Sequence, residues 1–184
     1  VKEGIMKKLL TILFMLIAVQ TAVYADAETD MHQVYIAKIQ AQDIKYNTFN
    51  FFNAINSGNT QLVDLFLKAG MSPDSTFMKT PAIYMAIASN QNEVVKLLLD
   101  NKVDPNKELA GITPLIMAIR EKDAKIVETL IAYGADVNQE AGYTKPLAYA
   151  IKKKQPKIVE LLINAGAKPD NEVLIKALKS DDNY

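Results

Sequence analysis

Apolar residues recur along this chain at a fixed interval of 32 residues. Four six-residue segments rich in Leu, Val and Ile follow one another at that spacing, at 62–67, 94–99, 126–131 and 158–163. An Ala-Ile pair precedes each segment in the same register, at 54–55, 86–87, 118–119 and 150–151. Because the register never slips, the pattern predicts similar units that stack and bury their apolar faces against each other.

The third unit shows which local structure the pattern predicts. Thr113 is suited to cap a helix, and Pro114 would stand in the first turn, where its missing backbone N–H is not needed. Ala118 lies on the apolar face of that helix, and its small side chain lets another helix approach closely. A second apolar helix is predicted over residues 124–133, and Gly134 would end it in the left-handed conformation that suits glycine. Each unit is therefore predicted to be a pair of helices.

Three stretches of this sequence carry a resemblance to a known family. Thr113-Pro114-Leu115, Gly134-Ala135-Asp136-Val137-Asn138 and Pro146-Leu147-Ala148-Tyr149-Ala150 resemble the helix-opening and turn motifs of the ankyrin repeat. The resemblance implies an all-α ankyrin-repeat solenoid, in which antiparallel helix pairs stack and short β-hairpin-like tips project to form a concave surface. It places four repeats at residues 48–170.

The chain departs from the family pattern in three respects. Its repeats run 32 residues, one fewer than the family period of about 33. Pro81 stands one place earlier relative to Ala86 than Pro114 does relative to Ala118, which predicts a helix that begins one residue sooner. Lys102 holds a position that is glycine in the other units. Its helix is therefore expected to end in a left-handed conformation that costs about 1 kcal/mol.

The sequence on either side of the repeats is expected to cap the stack. Residues 26–47 match no repeat, but Met31, Tyr35 and Ile39 recur at a spacing of four, which predicts a helix that covers the first unit. Residues 171–184 contain a short apolar stripe, which predicts a C-terminal capping helix and a tail. No linker rich in Gly, Ser or Pro interrupts the sequence, so we expect a single cooperative domain.

Residues 1–25 have the features of a secretory signal peptide. Lys7 and Lys8 precede an uncharged apolar run over residues 9–19, and small side chains lead up to Ala25. A cationic end followed by about eleven apolar residues is typical of a segment removed after export. The alternative is an uncleaved anchor, but a membrane span needs about 20 apolar residues. We expect cleavage after Ala25 and an exported bacterial protein, either periplasmic or secreted.

Composition argues against several classes of chemistry. The 184 residues carry 21 basic and 21 acidic side chains, and this zero net charge disfavours broad attraction to nucleic acid or acidic membranes. The sequence has no cysteine, so it can form no disulfide, thiolate nucleophile or cysteine-based zinc site. Its single histidine, His32, lies outside the repeats, and we expect a solvated side chain rather than a general base. We therefore expect no catalysis, no metal and no cofactor.

Candidate partner-binding residues lie where the resemblance places the tips and the exposed ends of the first helices. The apolar candidates at successive tips are Phe77 and Met78, Leu109 and Ile112, and Ala141 and Tyr143. A row of such side chains would suit the core of an interface, although tips that pack on each other would have the same composition. Charge accumulates at the helix ends toward the C-terminus, in Arg120, Lys152 and Lys153. These cations form either a solvated face or an attraction for an acidic protein partner.

Together with the resemblance, these features predict a non-enzymatic module that binds another protein through its concave surface. We expect a monomer with no nucleic-acid partner and no membrane insertion once the signal peptide is removed. Two other roles remain open. One is an immunity or accessory protein for a dedicated exported enzyme, and the other is a structural protein whose copies stack. An enzyme would need a deep pocket with convergent polar groups, whereas stacked helix pairs offer a groove.

Overall fold

The structure is a computed structural model that describes residues 30–142 and 144–169. The described chain begins with helix α1 over residues 30–40. The other helices are α2 Thr48–Asn56, α3 Thr60–Lys68, α4 Ala82–Ala88, α5 Asn92–Asp100, α6 Pro114–Arg120, α7 Ala124–Ala132, α8 Pro146–Lys152 and α9 Pro156–Asn164. Two short strands, β1 Thr76–Phe77 and β2 Thr80–Pro81, pair as an antiparallel hairpin before α4. The predicted signal peptide, the predicted C-terminal cap and Tyr143 lie outside the described residues.

Helices α2 to α9 form pairs whose members are joined by three residues and therefore run back along each other. Local capping explains several of the boundaries. The hydroxyl of Thr113 accepts a hydrogen bond from the backbone N–H of Ile116 at 3.2 Å, and Pro114 follows at the first helical position, as the sequence predicts. The Asp123 carboxylate caps α7 in the same way, accepting from Lys125 and Ile126. Short polar side chains thus define where these helices start.

The pairs stack in two layers. The first helices, α2, α4, α6 and α8, contact one another in chain order, and the second helices, α3, α5, α7 and α9, do the same behind them. The recurring alanines are buried between the helices, at positions Ala54, Ala86, Ala118 and Ala150. Their small side chains permit close helix packing, while the isoleucines that follow them fill the interior. The predicted all-α solenoid with a small hairpin is confirmed.

Burial decreases in the last described pair. Ile55, Ile87 and Ile119 have no exposed surface, whereas the equivalent Ile151 on α8 is 39% exposed. Ile163 on α9 is 56% exposed. Among the described elements, α8 and α9 have a neighbouring pair on one side only, and the described stack therefore leaves apolar surface at this end.

The second helices end in the left-handed conformation that the sequence predicts. Lys102 has a φ of 68°, close to the values at the glycines that hold the same place in the other units. The prediction for Lys102 is therefore confirmed. A second left-handed series, which the sequence reasoning missed, lies in the turns inside the pairs, at Gly58, Asn90, Lys122 and Lys154.

The predicted early start of the second unit's first helix is wrong. α4 begins at Ala82, four residues before Ala86, and α6 begins at Pro114, four residues before Ala118. Pro81 instead stands at the N-cap with an extended φ of −66° and ψ of 152°, as the last residue of β2. The extended end of the hairpin therefore accommodates the proline without moving the helix register.

Asparagine side chains tie successive units together behind the tips. The amide group of Asn106 donates to the Gly134 carbonyl at 3.1 Å and accepts from the Asp136 N–H at 2.7 Å. Asn138 makes the same two bonds 32 residues later, to Gly166 and Lys168. The equivalent residue in the first unit is aspartate, Asp74, which has no amide hydrogens to donate. Only the two later interfaces among the described units therefore contain the complete bridge.

Helix α1 packs on the first helix pair. Ile39 is fully buried in the core, Tyr35 is half-buried against it, and Met31 is exposed. The chain after α1 is held by Tyr46, whose ring stacks on Phe66 at 5.6 Å and whose hydroxyl donates to the Ala69 carbonyl at 2.9 Å. Burial also raises the pKa of the Tyr46 hydroxyl.

Candidate functional site

The first tip is a two-residue turn without glycine. Phe77 pairs with Thr80 across Met78 and Lys79, whose φ angles are 49° and 66°. Positive φ at both central residues matches the type I′ turn that suits a two-residue hairpin, and this turn normally contains Asn or Gly. Each residue with a Cβ costs about 1 kcal/mol in this conformation. Despite that cost, the Met78 side chain is 84% exposed and contributes little to the core.

The other two tips follow the same plan. Leu109 pairs with Ile112 across Ala110 and Gly111, and Ala141 pairs with Thr144 across a turn that contains Gly142. Counting in units of 32 residues makes Leu109 equivalent to Phe77, whereas Ile112 is equivalent to Thr80. Phe77, Leu109 and Ala141 therefore hold the same position in successive tips, whereas Met78 and Ile112 stand at other positions of their turns.

The predicted tip residues also differ in burial. Phe77 is half-buried, and its ring centroid lies 5.6 Å from that of Phe52 on α2. Leu109 and Ile112 are half-buried and pack against the core. In the second tip the structure thus favours intramolecular packing over a fully exposed ridge.

Exposed apolar surface is concentrated instead at the first tip. Phe49, near the start of α2, is 56% exposed, and its ring lies edge-on to Phe77 with centroids 6.0 Å apart. Together with Met78 they form what we call the first-tip patch: Phe49, Phe77 and Met78. Edge-to-face is a favoured arrangement of aromatic rings, so the two rings form a shared apolar surface beside the flexible Met78 side chain.

Tyr84 on α4 holds the second tip in place. Its buried hydroxyl accepts a hydrogen bond from the Leu109 N–H at 3.1 Å and lies 2.5 Å from the Ile112 carbonyl and 2.9 Å from the Lys107 carbonyl. Burial is the main reason that the pKa of Tyr84 is raised to about 12; the Leu109 N–H opposes this shift, and the nearby Glu108 charge adds to it. Sequence reasoning missed this residue. The sequence could have pointed to it, because this tyrosine stands at a position of the repeat that faces the interior, and a buried hydroxyl needs a hydrogen-bond partner.

The predicted cations are in different electrostatic situations. The Nε of Arg120 lies 3.2 Å from Glu121 Oε1, and its guanidinium also contacts the Met117 sulfur. Lys152 and Lys153 are exposed, and the Lys153 ammonium stands 5.4 Å from the centroid of the Tyr149 ring. None of the salt bridges within the described ranges includes either lysine. Positive charge is therefore partly neutralised on α6 and not on α8.

The charge around α8 is one-sided. Residues 141–159 contain five lysines and no carboxylate. We call four of them, which lie on or next to α8, the lysine cluster: Lys145, Lys152, Lys153 and Lys154. Lys157 lies on α9. All but Lys145 are exposed. The equivalent ends of α2 and α4 carry Asn56, Ser57, Ala88 and Ser89, so the first-helix layer changes from uncharged to cationic along the stack.

The described residues offer little for catalysis. His32 is half-buried, because α1 places its imidazole beside Gly70. A Cβ added to Gly70 would lie 3.6 Å from the Cε1 and Nδ1 atoms of the ring. This differs from the solvated side chain that the sequence predicts. Across residues 30–142 and 144–169, no group of three or more His, Asp or Glu side chains is placed to hold a metal ion. No helix in those ranges combines the length and apolar character needed to cross a bilayer.

A cavity of about 420 Å³ lies beside α1, away from the tips. It is open to solvent and is lined by Ile36, Gln40, Asp43, Ile44, Lys45 and Tyr46. Its lining includes none of the predicted partner-binding residues, and His32 is not part of it. The cavity therefore adds no group to the candidate surface.

Comparison with known proteins supports the resemblance seen in the sequence. A family model described as ankyrin repeats, in three copies, matches residues 17–109, 51–141 and 103–173. These overlapping matches cover most of the chain and every helix pair described above. No curated protein matches this sequence.

Proposed function

This chain belongs to the ankyrin-repeat family, and from that premise we propose that it is a non-enzymatic module that binds another protein. Ankyrin repeats generally mediate protein–protein interactions. The observation that carries the proposal is the exposed first-tip patch, where Met78 and Phe49 project from a rigid layer of helices. Because strand pairing and the helices hold the backbone of the tip in place, little backbone entropy would be lost on docking.

We place the partner on one face, which we call the binding face: the tips and the exposed side of α2, α4, α6 and α8. The exposed side of the second helices is less suited to binding, because its polar groups already contact each other between units. Lys125 lies 3.1 Å from Glu93, and Tyr133 donates to Asp100 at 2.5 Å. Such mixed, mutually paired groups are typical of a solvated surface. The binding face differs by combining apolar side chains with an excess of lysine.

We also propose that the protein acts outside the cytoplasm of a bacterial cell. The support is the sequence of residues 1–25, with its cationic start and short apolar run. Expression of the full chain in a bacterial host, followed by fractionation and N-terminal sequencing, tests this. We expect mature protein that begins at Asp26. Recovery of uncleaved protein in the cytoplasm would contradict the export proposal but not the binding proposal.

A narrower form of the proposal is an immunity or accessory protein that binds a single exported enzyme in the envelope. A second role, stacking of copies end to end, is favoured by one observation, the exposure of Ile163 on the last described pair. Light scattering across a range of concentrations separates these roles. A constant monomer mass supports binding of a different protein, whereas a mass that rises with concentration supports self-stacking.

Affinity capture from the envelope of the producing cells tests the binding face. The bait is compared with two variants of equal size: a face variant, Met78→Ala with Lys152→Ala and Lys153→Ala, and a control variant, Lys96→Ala with Glu128→Ala and Glu160→Ala on the second helices. We expect one protein to be captured by the wild type and the control and lost by the face variant. Capture that is lost only in the control would contradict the proposed face, and absence of any specific protein would contradict the function.

A further inference from the structure

We propose further that the binding face takes an extended acidic segment of the partner, with an apolar anchor on the first-tip patch and carboxylates on the lysine cluster. This rests on the proposed function and specifies the chemistry of the partner. The inference follows from three properties of the face that change along the stack: its charge, its hydrogen-bonding groups and its apolar exposure.

Charge complementarity selects an acidic ligand at the C-terminal end. The lysine cluster supplies four cations within residues 141–154, where the sequence has no carboxylate. The carboxylates nearest to it in sequence are Glu140 and Glu160, and Glu121 on the preceding pair is paired with Arg120. This local excess contrasts with the zero net charge of the whole chain. A ligand rich in carboxylates would be attracted to this local excess of positive charge and oriented by it.

The N-terminal half of the face suits a peptide backbone. At the ends of α2 and α4 it presents uncharged groups, including the exposed amides of Asn53 and Asn56. Asn56 already accepts from the Ser89 hydroxyl at 2.6 Å, which fixes its orientation and leaves its amide hydrogens available. Met85 is half-buried beside them and adds an adaptable apolar surface. Uncharged amides of this kind can hydrogen-bond the main chain of a peptide, whatever the charge of the peptide's side chains.

The first-tip patch supplies an anchor point at the N-terminal end. Met78 is held in a left-handed conformation that its side chain disfavours, yet 84% of its surface is exposed. Its exposure and the edge-on aromatic pair beside it suit an aromatic or aliphatic side chain of the partner.

The geometry of the stack sets the spacing between the two ends. Phe49 lies on α2 and Lys152 on α8, which are separated by three helix-to-helix steps. Neighbouring packed helices lie 8–10 Å apart, so the steps add up to about 27 Å. An extended chain covers about 3.3 Å per residue, and the anchor and the carboxylates should therefore be about eight residues apart.

A displayed library of random peptides provides a direct test that needs no knowledge of the partner. Peptides about fifteen residues long can contain both features at the expected spacing. We expect selection on the protein to enrich sequences with clustered Asp or Glu and an aromatic or aliphatic residue about eight positions away. Enrichment without an acidic excess, or no enrichment at all, would overturn the inference.

One enriched peptide is then labelled, and its affinity for variants of the protein is measured by fluorescence anisotropy. These affinities show what each end of the binding face contributes. We expect Lys152→Glu with Lys153→Glu to weaken binding about tenfold or more, most strongly at low salt. Met78→Ala should weaken it at low and high salt alike. The matched control is Lys38→Glu with Lys96→Glu, which makes the same change in net charge away from the face. Equal weakening by both double reversals would contradict the proposed placement.

The outcomes separate this inference from the proposed function. If the envelope partner is captured through the binding face but its binding is unchanged by the double reversal of Lys152 and Lys153, the acidic-segment inference fails and the function stands. If no partner is captured while acidic peptides bind as described, the face recognises this chemistry but the proposed function lacks its protein ligand. Thermal melts of every variant establish that the fold is intact.

Discussion

The phenol oxygen of Tyr84 accepts a hydrogen bond from the backbone N–H of Leu109, 25 residues further along the chain, at 3.1 Å. The same hydroxyl lies within hydrogen-bonding distance of the carbonyls of Lys107 and Ile112. A side chain of one unit's first helix thereby fixes the tip that leads into the next unit. The binding face is held in shape by such contacts as well as by apolar packing.

Removing this hydroxyl should destabilise the protein. We expect Tyr84→Phe to lower the free energy of unfolding by about 1–2 kcal/mol, because it leaves buried backbone groups of the tip with fewer partners. The melting temperature should fall by about 2–4 °C for each kcal/mol. The matched control is Tyr149→Phe, which removes a hydroxyl that makes no hydrogen bond to the described residues. Equal effects of both changes would show that the Tyr84 contacts contribute nothing specific.

The same residue predicts a pH dependence. Its pKa is raised from the ordinary 10.0 to about 12, so the folded protein retains this proton after the unfolded chain has lost it. The stabilisation is complete below about pH 10 and is lost as the pH rises toward about 12. The difference in unfolding free energy between wild type and Tyr84→Phe should therefore shrink from about pH 8 to about pH 11. Denaturant titrations that give a constant difference would contradict this.

Relieving the backbone strain at the end of α5 should stabilise the stack. Lys102 has a φ of 68°, whereas glycine adopts this conformation in the other units. We expect Lys102→Gly to increase the free energy of unfolding by about 1 kcal/mol. The reciprocal variant is Gly134→Ala, where an added Cβ would meet no atom within 4 Å, so that only the backbone term changes. It should lose a similar amount, and a thermal melt that shows no gain for Lys102→Gly would contradict the prediction.

Completing the asparagine series should strengthen the interface between the first two pairs. Asp74→Asn would provide the amide hydrogens needed to bond the Lys102 carbonyl, as Asn106 bonds Gly134. We expect a gain of about 0.5–1 kcal/mol, because the exposed salt bridge from Asp74 to Lys107 that it removes contributes little. Asn106→Asp is the reciprocal control and should destabilise. If the two substitutions shift the melting temperature in the same direction, the bridge does not explain their effect.

The repeating architecture could be predicted because its causes are local and periodic. The Ala-Ile pairs and the Val- and Leu-rich segments fix which helix faces are apolar, and stacking is the arrangement that buries all of them. The same reasoning placed Thr113 at a helix start and Lys102 in a left-handed turn. Each of these depends on residues close together in sequence.

The details of the tips could not be predicted because they depend on contacts between units. The register of each turn is fixed by backbone pairing, such as that of Leu109 with Ile112. A segment of two or three residues is too short to show an apolar pattern from which this pairing could be predicted. The burial of Phe77 depends on rings of α2 that lie 25 or more residues earlier in the chain. The prediction for Pro81 is wrong for a similar reason, since the hairpin extends to the residue before α4.

The central claim, that one face of this stack holds a protein partner, is tested most directly by site-specific photo-crosslinking in the producing cells. A photoreactive residue is placed on the binding face at Met78 or Lys152, and on the second helices at Lys96 or Glu128, all of which are exposed. We predict that Met78 and Lys152 crosslink to the same protein and that Lys96 and Glu128 do not. Crosslinks only from Lys96 and Glu128, or from none of the four positions, would contradict the account.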